Sequence, residues 1–308
     1  TFYGGIYRDV NLIVVNRHHF ALDYFGTPGL RITPQVEGAD AKVTVEAYKD
    51  SPEGTVKITI FDADGGSVAE TECPDGKAVL AIPGVHLWNG REDPYLYEAR
   101  AQLLVDGEAV DEISSRFGVR TFSVDSKEGF FLNGKSYPLH GVSRHQDFKG
   151  IGNAITKEYN DRDMEMIKEI GANTIRLAHY QHDQYFYDLC DEAGMIVWAE
   201  IPYISEHMPN GRENTISQMK ELIIQNYNHP SIVTWGLSNE ITISTKNTKD
   251  MLDNHRVLND LVHSMDAARP TVLACYAMCN PFARVVHLSD LVSYNLYLGW
   301  YVPGMFLN

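Results

Sequence analysis

The chain has 308 residues, 44% of them hydrophobic and 22% charged, and its 41 acidic against 26 basic residues give a formal net charge of −15. This is globular composition, enough for roughly two or three domains. A diffuse negative field repels phosphate backbones, so nucleic acid is not the expected partner. No window of about 18 apolar residues marks a membrane span, and the first residues lack the basic and apolar runs of a signal peptide. Cys73, Cys190, Cys275 and Cys279 form no CxxC pair and read as reduced, buried thiols rather than a zinc site.

In chain order, residues 6–15 alternate like a strand. Residues 31–35, which include Pro34, read as a linker. Strands are then predicted at 42–48, 55–62, 78–82, 95–105 and 111–117, separated by turn signals at 51–54, 62–66, 74–76 and 106–107. Short strands at this spacing, without helical periodicity, predict an antiparallel β-sandwich over 35–124. Residues 1–34 look like the tail of a preceding domain.

From about residue 125 the pattern changes. Strands predicted at 137–142, 173–177, 195–199, 232–237, 271–274 and 291–293 alternate with helices at 160–170, 184–192, 215–226 and 249–268. Such βα repetition requires a parallel sheet with helices outside. Gly150-Ile-Gly152 lacks the further glycine of a dinucleotide fingerprint, so a (β/α)8 TIM barrel is favoured over a doubly wound sheet. Six strands are found where a closed barrel needs eight, so the expected fold class is multidomain β plus α/β, ending in an incomplete barrel after about its sixth strand.

The most informative stretch is 228–240, an apolar strand that ends in Asn239-Glu240. A carboxyl group at the C-terminal mouth of a barrel strand is poorly solvated, and such groups can hold and donate a proton near neutral pH. Other polar residues fall at matching strand ends: Arg144 and His145, Arg176 with His179 and Tyr180, Glu200, and Asn295 with Tyr297, followed by Trp300 and Tyr301. A lone loop histidine is usually structural. Arg176 in an apolar strand is different, because a buried guanidinium needs an anionic partner. The Tyr and Trp residues suit either core packing or a sugar platform. Carboxylates, imidazoles and aromatics without a cofactor motif fit glycoside hydrolysis best. Glu240 would protonate the leaving oxygen, Asn239 would bond the sugar 2-hydroxyl, and His145 and His179 would hold ring hydroxyls.

At these residues the chain resembles glycoside hydrolase family 2, the β-galactosidases and β-glucuronidases. The resemblance rests on Asn173-Thr-Ile-Arg-Leu-Ala-His-Tyr180 continuing to Gly194, and on Asn228-His-Pro through Glu240. Gly4-Gly-Ile-Tyr-Arg-Asp9, 88–97, Phe117-Gly-Val-Arg120 and Leu132-Asn-Gly-Lys135 support it. It implies the remnant of a jelly-roll sugar-binding domain over 1–34, an immunoglobulin-like sandwich, and a catalytic barrel that retains configuration. Glu240 would be the general acid/base, with His145, Arg176, His179, Asn239, Tyr297 and Trp300 lining the sugar site. No remaining acid matches the family's nucleophile at the seventh strand, so the chain alone is expected to be inactive. Some relatives bind magnesium near an acid and a histidine after the third strand. Glu206-His207 is out of register with that pattern, and no cofactor is expected. A terminal β-D-galactoside is the first substrate expected, a β-glucuronide the second, and a non-catalytic carbohydrate-binding role the alternative of another class. An open barrel leaves strand edges uncovered, so a homo-oligomer is expected. The setting would be a bacterial cytoplasm or periplasm.

Overall fold

The structure is a computed structural model that describes residues 5–246 and 248–297. The chain divides into two compact units, one of Thr1–Ile175, His182–Val197 and Ile224–Ile232, the other of Arg176–Gln181, Trp198–Ile223 and Val233–Asn308.

The first unit contains two antiparallel sheets. One has the order β1-β2-β5, from β1 (Leu30–Glu37), β2 (Asp40–Ala47) and β5 (Lys77–Ile82). The other has the order β4-β3-β6-β7, from β3 (Thr55–Phe61), β4 (Ser67–Cys73), β6 (Tyr97–Val105) and β7 (Glu108–Phe117). Alternate residues point inward, as the period of two demands. Ala41, Val43, Val45 and Ala47 of β2 share one core with Val56, Ile58 and Ile60 of β3 and with Tyr97, Ala99, Ala101 and Leu103 of β6. Asp106 (φ 52°) and Gly107 (φ 84°) make the left-handed two-residue turn that joins β6 to β7.

Two expectations fail here. The predicted linker over 31–35 is part of β1. Pro34 is tolerated because β1 pairs only with β2 and so lies at a sheet edge. Residues 6–15 form no strand, and Ile6 and Leu12 are 86% and 90% exposed. Alternation alone does not make a strand without a neighbouring edge to pair with.

A small sheet follows, of order β10-β9-β8, from β8 (Phe122–Asp125), β9 (Gly129–Leu132) and β10 (Lys135–Ser136). Then come β11 (Gly141–Arg144), α1 (Lys157–Glu169), β12 (Thr174–Leu177), α2 (Gln184–Ala193), β13 (Ile196–Glu200), α3 (Arg212–Asn226), β14 (Ile232–Asn239), α4 (Thr248–Met265), β15 (Thr271–Tyr276) and β16 (Leu291–Asn295). The last six strands form one sheet in chain order, and β14, β15 and β16 pair in parallel. This is the βα alternation the sequence predicts.

Much of the polar apparatus in the first unit is structural. Asn228 accepts from the Ile32 N–H at 2.8 Å and donates to the Leu30 carbonyl at 2.9 Å. Arg120 donates to the carbonyls of Pro230 (2.5 Å) and Ile232 (2.6 Å). Arg144, expected to face a pocket, bonds Asp163 and Asn160, both at 2.8 Å, and lies over the Phe186 ring. Asn160, read as a helix start, is therefore a buried interior residue of α1. All four cysteines are buried and free, as expected.

Candidate active site

Every residue of β14 is buried. Its Gly236 is required by close packing, since a Cβ there would lie 2.4 Å from Glu200 Cβ and 2.5 Å from Trp198 Nε1. The strand ends at Asn239, and Glu240 follows with a left-handed backbone (φ 52°) and an N–H that donates to the Ala274 carbonyl at 2.7 Å. That conformation costs a residue with a Cβ about 1–2 kcal/mol. It turns the chain sharply while leaving the carboxyl group at the strand end.

Four strand ends of the second unit meet in one hydrogen-bonded cluster. Asn295 Nδ2 donates to Glu240 Oε1 at 2.8 Å and to Asn239 Oδ1 at 2.9 Å. Tyr297 Oη donates to Glu240 Oε1 at 3.4 Å. Asn239 Oδ1 also accepts from Arg176 Nη2 at 2.8 Å. Arg176 then donates to Asn295 Oδ1 (2.9 Å) and grips Glu200 through Nε (3.0 Å) and Nη2 (3.1 Å). His179 Nδ1–H donates to Glu200 Oε1 at 2.6 Å, and the Trp198 ring lies beneath the guanidinium at 4.3 Å.

The division of labour follows from these bonds. The Glu200 side chain, 1% exposed, is paired with Arg176 and hydrogen-bonded by His179. Arg176 spends its donors on Glu200, Asn239 and Asn295, so it orients the cluster. Two acceptor bonds fix the Asn239 amide so that its oxygen faces Arg176 and Asn295. Two donors, Asn295 Nδ2 and Tyr297 Oη, meet at Glu240 Oε1.

Of the residues singled out in the sequence, Arg176, His179, Asn239, Glu240 and Tyr297 are brought together. His145 is exposed directly after β11, in the first unit. Trp300 lies outside the described residues. Sequence reasoning placed Glu200 and Asn295 at strand ends but gave them no role in the site. Trp198 was likewise given no role in the site; its position two residues before Glu200, on the same strand face, was the available signal.

Among the described residues, one group of side chains could hold a metal ion. Asp188, Asp191 and His229 bring ligand atoms within 4.8 Å of one another. These are already engaged: His229 Nδ1–H donates to Asp191 at 2.6 Å, Asp191 accepts the Ser231 N–H at 3.1 Å, and Arg116 lies 3.4 Å from Asp188. Near the cluster, Glu206 is exposed, and the buried His207 bonds Asp250 at 2.7 Å.

Behind the site, Ser238 Oγ donates to His255 Nε2, and His255 Nδ1–H donates to the Met251 carbonyl, both at 2.8 Å. Burial lowers the His255 pKa from 6.5 to about 4, outweighing the bond to Met251. The neutral ring therefore contributes stability that is complete above about pH 6.5 and lost as pH falls through about 4. The shift corresponds to about 3 kcal/mol. Urea unfolding should show wild type losing about that much more than His255→Gln between pH 7 and 4; equal losses would contradict it.

Comparison with known proteins agrees with this architecture. Residues 123–307 match the profile of the glycosyl hydrolases family 2 TIM barrel domain, and residues 28–120 match glycosyl hydrolases family 2. A beta-glucuronidase of Bacteroides fragilis is 36% identical over 98% of this chain and 46% of that protein. A beta-galactosidase of Thermoanaerobacter pseudethanolicus is 28% identical over 87% of this chain and 36% of its own length. The crystal structure of an FMN-binding beta-glucuronidase from Facaelibacterium prausnitzii L2-6 superposes with a TM-score of 0.95 at 44% identity, covering 99% of this chain and 48% of that one. The chain belongs to glycoside hydrolase family 2, and its βα sheet is part of a TIM barrel. It spans about half the length, or less, of the relatives it matches.

Proposed function

We propose that the protein carrying this chain is a retaining β-glycosidase, that Glu240 is its general acid/base, and that its substrate is a terminal β-D-glucuronide. The observation that carries the reading is the carboxyl of Glu240 held by Asn295 and Tyr297 beside an Asn239 amide oriented by Arg176. In the first step Glu240 Oε2–H gives its proton to the glycosidic oxygen as the bond to the anomeric carbon breaks, while a second carboxylate attacks that carbon. In the second step Glu240 takes a proton from water as water displaces that carboxylate. The Asn239 Nδ2–H donates to the sugar 2-hydroxyl, a contact that strengthens as positive charge develops on the ring. His179 and Tyr297 line the sugar site.

Retention needs two carboxylates about 5–5.5 Å apart. Among the described residues, the cluster's other acid, Glu200, has both oxygens taken by Arg176 and His179. The nucleophile is accordingly expected from outside these residues, and the 308-residue chain alone is expected to give no turnover. The two packed antiparallel sheets support an immunoglobulin-like reading of the sandwich, with the barrel after about residue 125 and a jelly-roll remnant before the sandwich.

Glucuronide is placed before galactoside, reversing the order from sequence alone, because the relatives at 36% and 44% identity are named beta-glucuronidases. The beta-galactosidases among the relatives keep galactoside as the second reading. A kinetic panel on the full-length protein decides. The expected result is kcat/KM for 4-nitrophenyl β-D-glucuronide at least tenfold above that for the galactoside, a margin of about 1.4 kcal/mol. The reverse order would assign the galactoside, and no turnover of either would overturn the reading.

A further inference from the structure

The segment between β13 and α3 is bonded to the chain on both sides of Glu240. Before it, the Asn239 N–H donates to the Tyr203 carbonyl and the Ser205 N–H donates to the Asn239 carbonyl, both at 2.9 Å. Ile204 thus forms a parallel bridge with Asn239 and prolongs β13 beyond Glu200. After Glu240, the Ser244 N–H donates to the Ser205 carbonyl at 3.0 Å. Ser205, like Glu240, is left-handed (φ 61°), so two backbone reversals lie against each other.

One imidazole ties these pieces together. His207 is 4% exposed. Its backbone N–H donates to Thr245 Oγ1 at 2.9 Å, and that hydroxyl donates to the Ile241 carbonyl, immediately past Glu240. Its Nε2–H donates to Asp250 Oδ2 at 2.7 Å, and Asp250 is held by Arg212 at 2.6 Å in the first turn of α4. Its Nδ1 accepts from Tyr203 Oη at 2.5 Å, the residue whose carbonyl holds Asn239. Both ring nitrogens and the backbone N–H of the buried histidine are satisfied in one tautomer. Through them it joins the residue pairing with Asn239, the turn that follows Glu240, and the next helix.

We infer that His207 is a positioning residue for Glu240: clamped by Tyr203 and Asp250, it fixes the strained turn that aims the carboxyl group at the leaving oxygen. The inference rests on the reading of Glu240 as acid/base. Bonds of this kind matter because proton transfer needs heavy-atom distances of about 2.6–3.2 Å, and a misplacement of about 1 Å can cost 10²-fold in rate.

The test uses the full-length protein, with His207→Ala, His207→Gln, Tyr203→Phe and Asp250→Asn beside wild type and Glu240→Gln. A misaimed acid hurts most where the leaving group needs protonation. With a methylumbelliferyl or alkyl glycoside, His207→Ala should lower kcat by about 10- to 100-fold with KM changed less than about threefold. With a 2,4-dinitrophenyl glycoside, whose leaving group departs unprotonated, the loss in kcat/KM, which reports the first step alone, should shrink to under about threefold. His207→Gln, whose amide can donate to Asp250, should recover part of the loss. Equal losses in kcat/KM for both aglycones, or unchanged kcat with the poor leaving group, would overturn the inference. If wild type shows no turnover, the glycosidase reading itself fails, and amide hydrogen exchange then decides the structural claim. Faster exchange at Ser205, Asn239 and Ser244 in the His207 variants supports the clamp, and unchanged exchange removes it. If His207→Ala does not fold, Tyr203→Phe and Asp250→Asn carry the same readouts.

Discussion

Replacing Glu240 with glutamine in the full-length protein is expected to lower kcat on a poor-leaving-group glycoside by about 10²–10⁴-fold, the usual contribution of a positioned general acid. Glutamine keeps the shape of the side chain and its amide oxygen can still accept from Asn295 and Tyr297, so the bonds at Oε1 survive. What is lost is the proton on the other oxygen. The loss should therefore depend on the aglycone and nearly vanish in the first step for 2,4-dinitrophenyl. A loss independent of the aglycone would mean that Glu240 acts through binding or folding. The left-handed backbone gives a second, independent sign. Asparagine tolerates that region better than glutamate, so Glu240→Asn should be inactive yet more stable by up to about 1 kcal/mol. A residue kept in a strained conformation for its chemistry shows that combination.

Replacing Arg176 with methionine is expected to have the largest effect on stability. Side-chain exposure is 12% for Arg176 and 1% for Glu200. Methionine fills part of the volume over Trp198 but leaves Glu200 buried with only His179 to bond it. Removing one partner of a buried ion pair typically costs about 3–5 kcal/mol, because the other charge stays desolvated. Asn239 and Asn295 each lose a donor as well, so activity should fall even where the variant stays folded. The double variant Arg176→Met with Glu200→Gln should recover much of the stability, since no buried charge then lacks its partner, but none of the activity. Additive losses in urea unfolding would show that the two side chains are not energetically coupled.

The sequence was most legible where hydrophobic period and strand length agree. The βα alternation after residue 125 predicts strands and helices close to those found, because buried parallel strands are continuous apolar runs and the helices are amphipathic. Arg176 was legible for the same reason, as a charge in an apolar strand. Residues 6–15 and 31–35 misled, because pairing to a sheet edge is decided by tertiary neighbours that local alternation does not encode. The motifs through Asn228-His229 and Arg120 carry the family resemblance, yet the structure assigns them to packing: they bond main-chain groups of β1 and β14 and the Asp191 carboxylate of α2. His145 and His179 look equivalent in sequence; the structure shows His179 bonded to Glu200. The His207 clamp was hidden because its partners Tyr203, Thr245 and Asp250 are spread over 48 residues and belong to three different segments.

The central claim is that Glu240 moves protons and does not attack the sugar. Azide tests this directly. In full-length Glu240→Ala, with 2,4-dinitrophenyl β-D-glucuronide as substrate, azide fills the space of the lost carboxyl group and attacks the sugar–enzyme intermediate without needing a base. Turnover should rise with azide concentration, and the isolated product should be the β-glucuronyl azide, its configuration retained through two inversions. The α-azide would make Glu240 the nucleophile, and turnover indifferent to azide would remove Glu240 from proton transfer altogether.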